Sequence, residues 1–401
     1  MNVLKKIGCR IYQGVLYVGM AFMPWRKPII LDGEDSFVNA VDFMLSKNVR
    51  RPLIVCDKSA LERGALQPFF DKAEGVLNYA VYDGVLPNPT VSQVENGLSV
   101  YNANLCDAIL AFGGGSAMDC AKAIGARVVR PDKSVNKMKG LLKIRRRLPP
   151  FFAVPTTAGT GSECTVAAVI TDDETHYKYA INDFSLIPHY AILDASLTRS
   201  LPPFLTATTG IDALTHAVEA YIGKANTRAT KRQAEQAVKL IFDNLEETTL
   251  NGTNLAARSN MQRAAYLAGL AFTRAYVGYV HALAHALGGQ YGIAHGYANA
   301  VLLPAVLDAY GKSASKPLAR LARIIGIADK GEKTDDAASK FIAAVRDLNN
   351  RLSVPSSFEG KIAEQDLDIL CRRADKEANP LYPVPKLMDT KSLKQIYLKV
   401  M

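Results

Sequence analysis

Two adjacent prolines, Pro202 and Pro203, divide this chain into halves of different texture, and that division constrains the fold more than any other feature. Before them, short β-branched and apolar runs alternate with helical stretches. Strands are expected at 52–57, 78–82, 108–112, 151–154, 166–170 and 191–193, with helices such as 91–103 and 116–129 between them. Apolar strands alternating with helices encode a parallel sheet covered on both faces. The stretch 166–179 differs: Asp172-Asp173 is a turn signal, so a hairpin added to the sheet is expected there. After the prolines strand-like runs largely vanish. Helical periodicity takes over, as at 211–221, 228–247, 254–272 and 337–351. The expected organisation is an N-terminal apolar helical extension (1–27), a Rossmann-like α/β domain (28–200) and an all-helical domain (201–401). A ligand cleft is expected between the last two.

Composition places the 401 residues among ordinary globular proteins, at 49% apolar and 21% charged, and excludes a disordered or fibrous chain. The net charge of +10 fits a polyphosphate cofactor, a nucleic acid or an anionic membrane face. No RNP, zinc-finger or helix-turn-helix pattern accompanies it, so no nucleic-acid partner is expected. Much of the excess lies in Lys133, Lys137, Lys139, Lys143, Arg145, Arg146 and Arg147, read as a solvated loop or helix face, with an acidic partner as the alternative. The six cysteines are scattered without C-x-x-C spacing, which suits a reduced, cytoplasmic protein. An apolar run near residues 14–23 is interrupted upstream by Arg10 and Gln13. It lacks a cleavage site and is too short to span a bilayer. It is read as a helix covering the protein body or a partner subunit, with peripheral membrane contact as the alternative.

Four of the six histidines fall in two short stretches, Asp212-Ala213-Leu214-Thr215-His216 and His281 to His295. Asp212 and His216 are four apart, so they stack on one helix face, and His281 and His285 repeat that spacing. Gly288, Gly289 and Gly292 let the chain turn back before His295. Imidazoles and a carboxylate from facing helices suit a borderline divalent cation such as Fe²⁺ or Zn²⁺. Spacing leaves His281 and His285 equally eligible as ligands. H-x-x-x-H lacks the glutamate of a zincin, so a metalloprotease is not expected. His176 and His189 read as hydrogen-bonded core residues.

On the other half, the strand at 108–112 runs into Gly113-Gly114-Gly115-Ser116 and then a helix. Such a turn brings backbone N–H groups and the positive helix end to a pyrophosphate. It is not G-x-G-x-x-G, since Met118 stands where the third glycine would fall. Asp57 ends an earlier strand, where a carboxylate can accept from an adenosine ribose and repel a 2′-phosphate. The segment 155–162 also follows a strand and supplies small donors, including Thr156, Thr157 and Thr160. Three such turns along one sheet edge suit a single extended ligand.

Together these segments resemble the iron-containing (group III) alcohol dehydrogenase family, whose architecture is dehydroquinate-synthase-like. The residues that carry the resemblance begin with Asp83-Gly84-Val85-Leu86-Pro87-Asn88-Pro89, the glycine turn, and Pro155 through Glu163. They continue with Gly210 through Glu219, His281-Ala282-Leu283-Ala284-His285, and His295-Gly296-Tyr297-Ala298-Asn299. Order and spacing match over roughly 28–385, leaving out the N-terminal extension and the basic insertion at 130–148. The resemblance implies that Asp212, His216, His281 and His295 bind one metal, usually Fe²⁺ and sometimes Zn²⁺. It implies that His285 is no ligand but sits near nicotinamide and substrate as a proton relay. Gly114, Gly115, Ser116, Thr156, Thr157 and Thr160 match phosphate and nicotinamide positions. Lys178 matches a ribose-contacting lysine, and Asp57 a preference for NAD over NADP. Some relatives carry asparagine where Ala167 stands.

The activity so implied is NAD(H)-dependent interconversion of a small, primary alcohol and its aldehyde, with the metal as Lewis acid, by a homodimer or larger assembly. A glycerol- or polyol-dehydrogenase-like enzyme of the same fold group is the nearest rival. Those typically hold zinc through one acid and two histidines, against the acid and three histidines here. A non-catalytic protein that grips an acidic partner through the basic run is the alternative of another class.

Overall fold

The computed structural model describes residues 1–175 and 177–401; His176 lies outside the described residues. Two compact units emerge: Pro24–Ser200, and Met1–Met23 together with Leu201–Met401.

Among the described residues the first unit contains nine strands: β1 (Ile29–Asp32), β2 (Pro52–Val55), β3 (Ala80–Tyr82), β4 (Ala108–Gly113), β5 (Gly140–Leu141), β6 (Phe151–Pro155), β7 (Ala167–Thr171), β8 (Lys178–Asn182) and β9 (Tyr190–Leu193). Six form a parallel sheet in the order β1-β9-β6-β4-β2-β3. Strands β2, β4 and β6 are buried at every residue, as expected for strands with helices on both faces. Being parallel neighbours, they end on one edge, and the register places Gly113 opposite Pro155. That edge carries Asp57, the glycine turn and Thr156 to Thr160.

The hairpin expected at 166–179 forms, but it does not join the parallel sheet. β7 and β8 pair antiparallel, and β5, which carried no sequence signal, adds to β8 in a separate three-stranded sheet. Alternation explains the placement: Ala168, Ile170, Tyr179 and Ile181 face one way, into the cluster around the Gly115–Val129 helix. A hairpin with one apolar face needs a helix under it, not an edge position. Much of the basic segment is tied down locally. Lys133 Nζ donates to the Lys143 carbonyl, Arg130 Nε to the Ile144 carbonyl, and Lys139 lies 4.2 Å over the Tyr177 ring. His189 is half-buried, its Nδ1 accepting from the Phe151 N–H at 3.2 Å and its Nε2 from Arg147 Nε at 3.3 Å. Burial, then the cations Arg26 and Arg147, push it down to about 4.

A buried charged network fixes the hairpin on the helix behind the glycine turn. Lys122 has no exposed surface. Its Nζ donates to Ser162 Oγ (2.9 Å), Thr165 Oγ1 (3.0 Å) and the carbonyls of Thr165 (3.1 Å) and Ala167 (2.9 Å). Asp119, one turn earlier, accepts from Ser162 Oγ and the Val169 N–H. Burial lowers the Lys122 ammonium to about 8 and raises the Asp119 carboxyl to about 6.

The second unit is helical. Its centre is Pro203–Ile222, which opens on a proline at the first helical position and is buried on almost all sides from Thr206 onward. Helices Arg228–Leu250, Leu255–Ala275 and His295–Tyr310 pack against it. Polar side chains on a helix so enclosed must find partners or ligands in the interior. The Val3–Ala21 helix also belongs to this unit. No described helix is long and apolar enough to cross a membrane.

Replacing Lys122 with methionine strands the carbonyls of Thr165 and Ala167 and leaves Asp119 buried without its cation. The expected cost is about 3–5 kcal/mol, read as a lower urea midpoint at unchanged slope.

Candidate metal centre and cofactor site

Asp212, His216 and Glu219 follow one another at successive turns of the Pro203–Ile222 helix. His281 lies in the first turn of Tyr279–Tyr291; Gly292, at φ 67°, ends that helix in a left-handed cap. The chain then re-enters at His295, first residue of the next helix. One donor atom from each of Asp212, His216, His281 and His295 lies within 4.8 Å of all the others. Asp212 Oδ1 is 3.5 Å from His295 Nε2 and 3.9 Å from His281 Nε2; Asp212 Oδ2 is 4.0 Å from His216 Nδ1. Bonds of about 2.0–2.2 Å in tetrahedral geometry place donors roughly 3.3–3.6 Å apart. The cluster can therefore close on one small divalent cation by drawing in its widest pairs, up to 4.8 Å, by about 1 Å. Asp212, His216 and His281 are buried, while the His295 side chain is 30% exposed, so the set opens on His295. Burial, then the neighbouring imidazoles, hold His281 well below the ordinary histidine range, in the neutral form that ligates.

Glu219 orients this set. It lies seven positions after Asp212 on the same helix and is 3% exposed. Its carboxylate accepts from the Gly278 N–H (2.8 Å) and the Val280 N–H (2.9 Å), and lies 2.6 Å from His281 Nδ1. One carboxylate thus caps the Tyr279–Tyr291 helix and fixes the His281 ring by its far nitrogen, leaving Nε2 turned to the donor cluster. Gly278 permits the approach, since a Cβ there would fall 2.6 Å from Glu219 Oε1. Burial raises the Glu219 carboxyl to about 7, against the hydrogen bonds that lower it.

Two partners were missed from sequence. Asn299 Nδ2 donates to Asp212 Oδ1 at 2.6 Å and lies 3.1 Å from His295 Nε2. Its position four residues after His295 on a helix was the available signal. Glu377 Oε1 lies 2.7 Å from His285 Nδ1 and accepts from the Tyr382 hydroxyl at 2.8 Å. It is 92 positions from His285, and no local pattern announces it. The structure separates the two histidines that spacing left equal. His281 enters the donor cluster, whereas His285 stacks on His295 with ring centres 5.0 Å apart.

In the α/β unit, the glycine turn and the threonine segment meet. A Cβ on Gly114 would lie 3.3 Å from Thr157 Cγ2, and one on Gly115 only 2.8 Å from Thr160 Cγ2. Gly113 has φ 145°, a conformation open to glycine, and the Thr156 N–H donates to its carbonyl. The result is a helix N-terminus kept free of side chains, as a pyrophosphate requires. Ser116 Oγ accepts from the Asn88 N–H at 3.3 Å, and Lys178 Nζ donates to Asn88 Oδ1 at 2.6 Å, which gathers both at the turn. Asp57 Oδ2 lies 4.0 Å from the Cβ position of Gly113, and Oδ1 caps the Lys58–Glu62 helix through the Ala60 N–H.

A glycine-turned parallel sheet and a helical unit with a one-carboxylate, three-imidazole cluster define a metal-assisted, dinucleotide-dependent oxidoreductase. Residues 28–195 match the model for iron-containing alcohol dehydrogenase, and 206–401 match that for the Fe-containing alcohol dehydrogenase family, C-terminal. The 1,3-propanediol dehydrogenase of Klebsiella pneumoniae is 40% identical over 334 residues, covering 82% of this chain and 86% of that protein. A crystal structure of a 1,3-propanediol oxidoreductase superposes with a TM-score of 0.91 at 36% identity, covering 95% of this chain and all of the other. A sulfoacetaldehyde reductase from Bifidobacterium kashiwanohense, solved in complex with NAD⁺, gives 0.84 at 29% identity, covering 94% and 99%. The chain belongs to the iron-containing alcohol dehydrogenase family. It is an NAD(H)-dependent alcohol dehydrogenase or aldehyde reductase.

Glu219→Gln keeps the shape but weakens the grip on His281, so metal affinity should fall about 10–100-fold in a chelator competition. His285→Ala should leave metal content unchanged, while His281→Ala should abolish it, both read by elemental analysis.

Proposed function

We propose that this protein interconverts a small primary alcohol and its aldehyde. In this reading Asp212, His216, His281 and His295 hold one divalent cation, Fe²⁺ or Zn²⁺. Gly114, Gly115, Ser116, Thr156, Thr157, Thr160 and Lys178 hold NAD. The observation that carries it is the convergence of one carboxylate and three imidazoles to within 4.8 Å. The histidine at the mouth argues against the one-acid, two-histidine pattern of polyol enzymes.

When bound, the cation supplies Lewis acidity to the substrate oxygen and the nicotinamide supplies the hydride acceptor. The chain's own residues supply position and proton handling. Glu219 and Asn299 hold the ligand side chains in place before substrate arrives, which lowers the reorganisation that reaction demands. His285, with Nδ1–H donated to Glu377, keeps its Nε2 lone pair ready to take the hydroxyl proton in oxidation and to return it in reduction. Asp57 accepts from the adenosine ribose and repels a 2′-phosphate. The scattered, buried cysteines support a reducing, cytoplasmic setting. The exposed Ile29 and Ile30 on edge strand β1 support assembly into a dimer or larger.

Purified enzyme should oxidise 1,3-propanediol and simple primary alcohols with NAD and lose that activity on chelation; full turnover after complete metal removal would refute the reading. Asp57→Ser, which retains a capping side chain, should raise the NADP-to-NAD ratio of kcat/KM by roughly tenfold, the equivalent of about 1.4 kcal/mol.

A further inference from the structure

The Val3–Ala21 helix lies before residue 28, where the family match begins, and its two faces differ sharply. The inner face is fastened. Cys9 and Gln13 are buried, and Gln13 Nε2 donates to the carbonyls of Pro380 and Tyr382 at 2.8 Å each. Arg10 reaches the Pro385 carbonyl at 3.1 Å, and Lys5 pairs with Asp375 at 3.1 Å. The outer face carries Leu4, Ile7, Ile11, Val15, Val18 and Phe22, at intervals of three or four residues and therefore in one line. They are 81%, 51%, 63%, 70%, 57% and 83% exposed. At 1.5 Å per residue the stripe is about 27 Å long. Because polar bonds hold the opposite face, the helix cannot roll to hide it. A contiguous apolar stripe of this kind marks an interaction surface.

Charge identifies the occupant. The helix contains Lys5, Lys6 and Arg10 and no aspartate or glutamate. Lys6 and Arg10 line a groove with Lys386 directly beside Ile7 and Ile11. A second copy of the chain docking stripe to stripe would bring no acidic side chain of its own helix to these cations. Anionic phosphates above an acyl layer would answer both the charge and the apolar line. We infer that the outer face of this helix docks the enzyme peripherally onto an anionic lipid surface, with the stripe at the acyl boundary and Lys6 and Lys386 at the headgroups. Its length and hydropathy exclude a spanning role, so the contact is flat and reversible.

The test is flotation of the full-length enzyme with phosphatidylcholine vesicles, with and without phosphatidylglycerol. The comparison is the double variant Ile11→Glu/Val15→Glu, which changes two exposed positions away from the metal and cofactor residues. Wild type should float with the anionic vesicles and be released by high salt. The variant should partition roughly tenfold or more weakly, with solution mass and turnover of soluble alcohol unchanged. Wild type that stays unbound on both vesicle types, or a variant that floats equally well, overturns the inference. So does a variant whose mass by light scattering drops to a smaller assembly without any lipid binding, because the stripe is then a contact between copies.

Discussion

A single buried carboxylate, Glu219, ties the helical unit together at the place where its chemistry is proposed. It caps the Tyr279–Tyr291 helix through two backbone N–H groups and holds the His281 ring from behind. Asp212 and His216 ride on the helix that carries Glu219. One side chain therefore sets the separation between Asp212 and His216 on one helix and His281 on another. Such a group is costly to bury, which its raised pKa reflects, and the cost is offset by the hydrogen bonds it receives. Gly278 is the complementary constraint, since any side chain there would occupy the space of the carboxylate.

The α/β unit solves a different problem with similar economy. A dinucleotide needs backbone N–H groups free of overhanging side chains, and the glycine turn provides them only while the threonine segment stays pressed against it. The buried Lys122 network holds the segment's end, Ser162, to the helix that begins at the turn. A fully buried cation thus works as a structural pin. The same hydrogen bonds seat the β7–β8 hairpin, whose Lys178 and neighbouring Asn88 then reach the turn.

Much of this was legible in the chain because it was local. Apolar runs buried on both faces announced β2, β4 and β6, and i, i+4 spacing placed Asp212 with His216. What escaped depended on distant partners. β1 is four residues long and exposed on much of its surface, so it shows no burial pattern. β5 is a two-residue strand defined only by its neighbour β8. The hairpin was visible, but its separation from the main sheet follows from which helix its apolar face finds. His281 and His285 were indistinguishable by spacing, because only the opposite helices decide which ring meets Asp212 and which meets Glu377. The resemblance to a family gave the two histidines different roles, whereas Glu377 stood outside its motifs.

The central claim is that one cation is held jointly by Asp212, His216, His281 and His295. The most direct measurement is anomalous diffraction from crystals of the metal-loaded enzyme at the absorption edge of iron or zinc. A single strong peak is expected within about 2.0–2.3 Å of a donor atom from each of these four residues, with His285 outside bonding distance. A peak coordinated by His285 in place of His281, or no peak in the cluster at full metal content, would contradict it.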